Sequence, residues 1–172
     1  MKLKVSDLIK ANKTMRLSKY STLLVNLVLF KSFSITSSIK AMSHKLSCTN
    51  PNMFQQSIDN VLKISQTNNM PMYVLFTGAK VESTGRSWCP DCVAAEPIIE
   101  QALDQLNNGY VLLECPVIRQ EYKSPDYIYR NLSPVNLRCV PTFFKWDESG
   151  PKDRLNDSQS QNAALVKKFV EN

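Results

Sequence analysis

Along the chain the spacing of apolar residues changes period several times, and each change predicts an element. Phe54, Ile58, Val61 and Leu62 recur at helical spacing. Asn50-Pro51 just ahead supplies a cap and a proline suited to the first helical position. Met72-Tyr73-Val74-Leu75-Phe76 is an uncharged, β-prone run, as in a strand covered on both faces of an α/β sheet. A polar, glycine-containing loop, Thr77 to Ser87, follows. From Asp91 the period is helical again through Val93, Ile99, Leu103 and Leu106, with Pro97 placed to kink the helix and Asn107-Asn108-Gly109 as a stop. Tyr110 to Cys115 is the next strand, so strand, helix and strand make a right-handed βαβ unit if the strands are parallel. The polar segment Val117 to Arg138 predicts a loop and a short helix around Asp126 to Leu132. Thr142 to Trp146 predicts a third strand, broken by the turn Asp147 to Pro151. A last helix, about Gln159 to Val170, carries Leu165, Val166, Phe169 and Val170.

This is an α/β pattern without repeats or an internal linker, and 172 residues suffice for one such domain and a tail. The expected division is an N-terminal extension, 1–41, and a domain, 42–172. The formal charge of +6 is concentrated at the start. Residues 1–45 hold nine Lys or Arg against Asp7 alone, which leaves 12 basic and 14 acidic residues for the rest. The domain is therefore not basic, and nucleic-acid binding is not expected. The extension is Lys- and Ser-rich, and its apolar run Thr22 to Phe30 is too short to span a bilayer alone. A secretory signal, a mitochondrial transit segment, a stretch bypassed by initiation at Met42 and a disordered tail all fit it.

Five cysteines, at 48, 89, 92, 115 and 139, are odd in number and irregular in spacing, unlike a secreted disulfide framework. Two of them form Trp88-Cys89-Pro90-Asp91-Cys92 between a strand and a helix, where C-x-x-C reads as a redox site. A cysteine just ahead of a helix meets unsatisfied backbone N–H groups and the positive helix end, which favour its thiolate. Cys89 is therefore the expected nucleophile. Cys92, in the first turn, is expected to be more buried and to resolve the mixed disulfide. Pro90 fixes φ and removes a donor. Asp91 stabilises the first helical turn but repels a neighbouring thiolate, so both middle residues are expected to tune the couple.

The blocks Phe76-Thr77-Gly78, Ser87 to Val93, Ala95-Glu96-Pro97 and Val140-Pro141-Thr142 resemble the small thioredoxin-related proteins with a WCPDC active site, the thioredoxin domain-containing disulfide reductases. The likeness covers roughly residues 52 to 172 and is strongest from 72 to 100. It implies a thioredoxin-like fold, a central mixed sheet flanked by helices, with Cys89 and Cys92 as the redox thiols. It implies no bound cofactor or metal, electrons from NADPH through thioredoxin reductase, and a substrate range narrower than that of thioredoxin. Substrates would be small disulfides such as cystine, oxidised or nitrosylated thiols, and selected protein partners in redox signalling. In such folds a cis-proline precedes the strand beside the site, so Pro141 is expected to be cis and the Val140 backbone to contact substrate. Trp88 is expected to pack beside the thiols, shielding them or filling core. The expected location is cytoplasmic, unless residues 1–41 direct the chain to a mitochondrion, a secretory route or a membrane contact.

Cys139 should lie near Cys89, either as an oxidisable third thiol or as a small residue at a surface turn. Cys115 and Cys48 read as packed and unreactive. Glu96 and Lys80 are candidates for shaping the access surface. The lone His44 lies ahead of the patterned domain, so no Cys-His hydrolase pair is supported. Two other functions fit the cysteines. Cys89, Cys92, Cys115 and Cys139 could form a zinc site, although they lack two paired knuckles. A thioredoxin-fold adaptor that binds without turnover is the other reading.

Overall fold

The computed structural model describes residues 42–172. The expectations for residues 1–41 lie outside the described residues. In chain order the elements are β1 (His44–Ser47), a 3₁₀ turn Pro51–Met53, α1 (Phe54–Asn68), β2 (Met72–Gly78), α2 (Pro90–Asp104), β3 (Val111–Val117), α3 (Arg119–Tyr122), α4 (Ile128–Asn131), β4 (Thr142–Asp147), β5 (Gly150–Leu155), α5 (Asp157–Ser160) and α6 (Ala163–Glu171). None of the described helices is long and apolar enough to cross a membrane.

The sheet is mixed, in the order β1-β3-β2-β4-β5. The first three strands in that order run parallel, β2 against β3 in the register Met72↔Val111 through Gly78↔Val117, while β4 pairs antiparallel with β2 and β5 antiparallel with β4. All of β2 is buried, because its alternation feeds two cores. Met72, Val74 and Phe76 face a cluster with Phe54, Ile58 and Val61 of α1, whereas Tyr73 and Leu75 face Ala95, Ile99 and Leu103 of α2 and Val166 and Phe169 of α6. The first core is strongly aromatic: the Tyr129 ring lies 4.8 Å from Phe76 and 5.4 Å from Phe54, both edge-on. The central mixed sheet flanked by helices is the fold class expected.

Several boundaries differ from expectation for local reasons. Asn50 accepts a hydrogen bond from the Asn52 N–H, so Pro51 opens a 3₁₀ turn and α1 begins only at Phe54. Asn69, in the left-handed region with φ 52°, closes α1. α2 runs as one element through Pro97 and ends at Asp104, short of Gly109. The short helix expected around Asp126 to Leu132 is α4, and an additional one-turn helix, α3, precedes it. The last helix is divided in two, because Asn162 caps α6 by accepting from the Ala164 and Leu165 N–H groups. Two strands were not expected. β5 carries Pro151, Lys152, Asp153 and Arg154, a composition tolerated at a sheet edge. β1 places His44 within the fold, its N–H donating to the Tyr110 carbonyl at 2.9 Å, which corrects its placement ahead of the domain.

Candidate active site

The site is built where β2 ends and α2 begins. Cys89 is the N-cap of α2: its sulfur accepts from the Cys92 N–H at 3.4 Å, and Pro90, which has no N–H to leave unpaired, fills the first helical position. Cys89 is 5% exposed and Cys92 0%. The Cys89 thiol donates to the Val140 carbonyl at 3.3 Å. The structure thus brings Cys89, Cys92 and Val140 together. The Val140–Pro141 peptide is cis, as expected, and Ser133–Pro134 is a second cis peptide with no sequence expectation behind it.

Burial pushes the Cys92 thiol up to about 12, against two weaker opposing contacts, the Thr77 hydroxyl and the Gly78 N–H. The Gly78 N–H donates to the Cys92 sulfur at 3.2 Å. Cys92 is therefore held protonated at neutral pH. Beside it, the Thr77 hydroxyl donates to Glu96 Oε1 at 2.8 Å, and Glu96 stands one helical turn beyond Cys92 on α2. Behind this pair is a cavity of about 350 Å³ whose lining includes Thr77, Lys80, Glu96, Glu100 and Glu114. Burial raises the Glu114 carboxyl above its ordinary range. Sequence reasoning placed Glu96 and Lys80 at the access surface and missed Thr77; its signal was a single hydroxyl directly after an uncharged apolar strand.

The insert between β2 and the motif folds back on itself, with Lys80 and Ser87 paired antiparallel and Gly85, at φ 65°, in its turn. Ser87 Oγ donates to the Gly78 carbonyl at 2.7 Å and accepts from the Cys89 N–H at 3.2 Å, tying the motif to the end of β2. Trp88 is half-buried. Its indole N–H donates to the Val117 carbonyl at 2.7 Å, and its ring lies 5.9 Å from Tyr122 and 5.8 Å from the Arg119 guanidinium. Trp88 thus packs against the core, the second of the two roles expected of it. Asp91 is exposed and accepts from the side chain of Gln161, the residue that follows α5, at 3.2 Å.

The remaining cysteines separate. Cys139 is half-exposed, 3.6 Å from Thr142 Oγ1 and next to Val140 in the chain. Cys115 contacts Cys48, on the far side of β3 from β2. Among the described residues no group of three or more His, Cys, Asp or Glu side chains could hold a metal ion, and the four-cysteine set does not assemble.

Residues 52–172 match the family model described as thioredoxin domain-containing protein 17-like, thioredoxin domain. Thioredoxin-like protein Clot of Arabidopsis thaliana is 30% identical over 118 residues, covering 68% of this chain and 88% of that protein. Thioredoxin domain-containing protein 17 of Homo sapiens is 35% identical over 104 residues, 60% of this chain and 80% of that protein. Among solved structures, thioredoxin O2 from Arabidopsis thaliana in its oxidized state superposes with a TM-score of 0.48 at 16% identity, over 76% of this chain and 96% of that one. The chain belongs to the thioredoxin domain-containing protein 17-like family, and a thiol–disulfide oxidoreductase type of function goes with that membership.

Proposed function

We propose that the chain is a protein-disulfide reductase that uses Cys89 and Cys92, within a WCPDC active site, on small disulfides or selected protein disulfides. The observation that carries this reading is the pairing of a capping thiol, Cys89, with a fully buried, proton-holding thiol, Cys92, whose N–H reaches the Cys89 sulfur at 3.4 Å. Cys89, as thiolate, attacks one sulfur of the substrate; a mixed disulfide forms and the other substrate sulfur leaves as thiolate and takes a proton. Cys92 then gives up its proton and attacks the Cys89 sulfur. The second substrate thiol departs, and two electrons have left the protein as a Cys89–Cys92 disulfide forms. The Thr77 hydroxyl, bonded to Glu96, is the acceptor path for the Cys92 proton.

The site binds substrate along Trp88 and the Val140-Pro141 turn, with Pro90 and Asp91 setting the potential of the couple. No cofactor binds the chain. NADPH supplies electrons through thioredoxin reductase, the proposed partner, and the irregular cysteine spacing suits a reducing compartment such as the cytoplasm. The test is reduction of cystine, or of a model protein disulfide, by thioredoxin reductase and NADPH. Wild type should consume NADPH and Cys89→Ser should not; turnover that survives the substitution would sink the mechanism. Cys92→Ser should instead accumulate mixed disulfides on Cys89, and mass spectrometry of the trapped species would name the substrates.

A further inference from the structure

Cys48 and Cys115, read from the sequence as packed and unreactive, are both buried in the core, and the sheet register sets them side by side. β1 runs parallel to β3 with Ser47 opposite Glu114, and the next residue, Cys48, donates its N–H to the Glu114 carbonyl at 2.8 Å. That step sets Cys48 opposite Cys115. Neighbouring strands lie about 4.8 Å apart and aligned side chains share a face, inside the ~4.4–6.8 Å Cα separation that a disulfide needs. Both side chains are buried in the same core cluster, at 3% and 0% exposure. Tyr129 Oη lies 3.8 Å from the Cys48 sulfur and also contacts Cys115. With the Cys115 thiol first and the Ser57 and Tyr129 hydroxyls behind it, hydrogen-bond donors converge on the Cys48 sulfur and hold its titration below the ordinary thiol range, against burial. Burial first, and then the Cys48 sulfur, push the Cys115 thiol well up. An asymmetric pair results, one thiol made acidic and the other keeping its proton, as between an attacking and a resolving cysteine.

Cys48 is hydrogen-bonded to a residue that lines an open cavity. Its thiol donates to the Asn50 carbonyl at 3.3 Å, and Asn50 lines an open cavity of about 400 Å³ with Pro51, Asn52 and Tyr127. An oxidant entering from there has to be small, as a peroxide is and a protein disulfide is not, because Cys48 is only 3% exposed.

We propose that Cys48 and Cys115 form a second redox couple, closed by hydrogen peroxide or a comparable small hydroperoxide and independent of the Cys89/Cys92 site. The Cys48 thiolate attacks one peroxide oxygen, giving Cys48 sulfenic acid and hydroxide. The Cys115 thiol condenses with the sulfenic acid, the Cys48–Cys115 bond forms and water leaves. Two thiols have been oxidised by two electrons, and the peroxide reduced to hydroxide and water, with the proton of Cys115 carried away in the water. The closed bond ties the edge strand β1 covalently to β3.

The test uses the full-length chain with Cys89→Ser and Cys92→Ser, so that the first site contributes no disulfide. After peroxide treatment, free thiols are blocked with N-ethylmaleimide and the chain is digested without reductant. The expected result is the loss of two maleimide adducts and a linked peptide pair joining Cys48 to Cys115, lighter by two hydrogens and separated by a phosphine reductant. Adding Cys115→Ser should stop the reaction at Cys48 sulfenic acid, which dimedone traps. The same mapping on the unsubstituted chain guards against a folding defect; cleavage after glutamate is needed there, because Ser87 to Arg119 is a single tryptic peptide holding Cys89, Cys92 and Cys115. Cys48 and Cys115 both carrying maleimide after peroxide, or Cys48 linked to Cys139 or to a second chain, overturns the proposal. None of these outcomes depends on whether Cys89 and Cys92 turn over a substrate.

Discussion

One hydroxyl at the end of an apolar strand connects the Cys92 sulfur to a carboxylate. Cys92 has burial against its ionisation and in the proposed cycle must still lose a proton, so its deprotonation there needs an acceptor at hand. Thr77, bonded to Glu96 at 2.8 Å, provides it. Thr77→Val keeps the shape and removes the hydroxyl; Glu96→Gln removes the charge. In single-turnover reactions both are expected to leave mixed-disulfide formation near the wild-type rate and to slow its resolution by roughly 10²-fold, the low end for a general base. Resolution at the wild-type rate in both variants would exclude the relay. Gly78 is a second sensitive position. A Cβ there would lie 2.5 Å from Ser87 Oγ, 2.9 Å from Cys89 Cβ and 3.1 Å from Trp88 Cε2, so the whole motif must shift. Gly78→Ala is expected to destabilise by roughly 1–3 kcal/mol, measured as a lower urea midpoint at unchanged slope, and to lower turnover with it.

At the scale of elements, β1 is short but covers the open edge of β3. A chain starting at Thr49 loses the register His44↔Val111 through Ser47↔Glu114 and the buried Cys48. Compared with a chain starting at Met42, it is expected to lose about 2 kcal/mol or more and to self-associate through the bared edge, as read by urea unfolding and light scattering. Equal stability and mass would mean that β1 is dispensable. This strand also marks what the sequence left illegible. β2 is uncharged, and β3 and β4 carry only Glu114, Lys145 and Asp147 as charges; all three are largely apolar runs buried by two layers of helices, and such runs announce themselves through their composition. β1 and β5 are edge strands, held by backbone hydrogen bonds more than by side chains, so His44-Lys45-Leu46-Ser47 and Gly150 to Leu155 carry little apolar signal. The site was legible to the same degree: the motif, its helix and the Val140-Pro141 turn lie in contiguous stretches. Thr77 with Glu96, and Cys48 with Cys115, are juxtapositions made by the sheet and have no spacing to read.

For the whole molecule, the reduced protein folds around acids that it keeps protonated. Burial moves both Cys92 and Tyr73 up to about 12, from ordinary values of 9.0 and 10.0. Above pH ~9 the unfolded chain releases these protons while the folded chain retains them, so the folded state binds more protons and stability falls as pH rises. The contribution is complete at neutral pH and is lost between the ordinary value and the raised one, from 9.0 to about 12 for Cys92. Linkage gives about 2 kcal/mol lost from Cys92 alone between pH 8 and pH 10.5. Cys92→Ser removes this titration and leaves Tyr73 in place, so the reduced wild type should lose about 2 kcal/mol more than the variant over that interval. The comparison is of the change with pH within each protein, read from urea midpoints, which separates it from any offset that the serine introduces. The oxidised wild type, with no Cys92 proton in either state, should follow the variant's shallower decline. Parallel declines in the reduced wild type and Cys92→Ser would mean that the Cys92 thiol is not held protonated by the fold, and the resolving step would then need no proton acceptor.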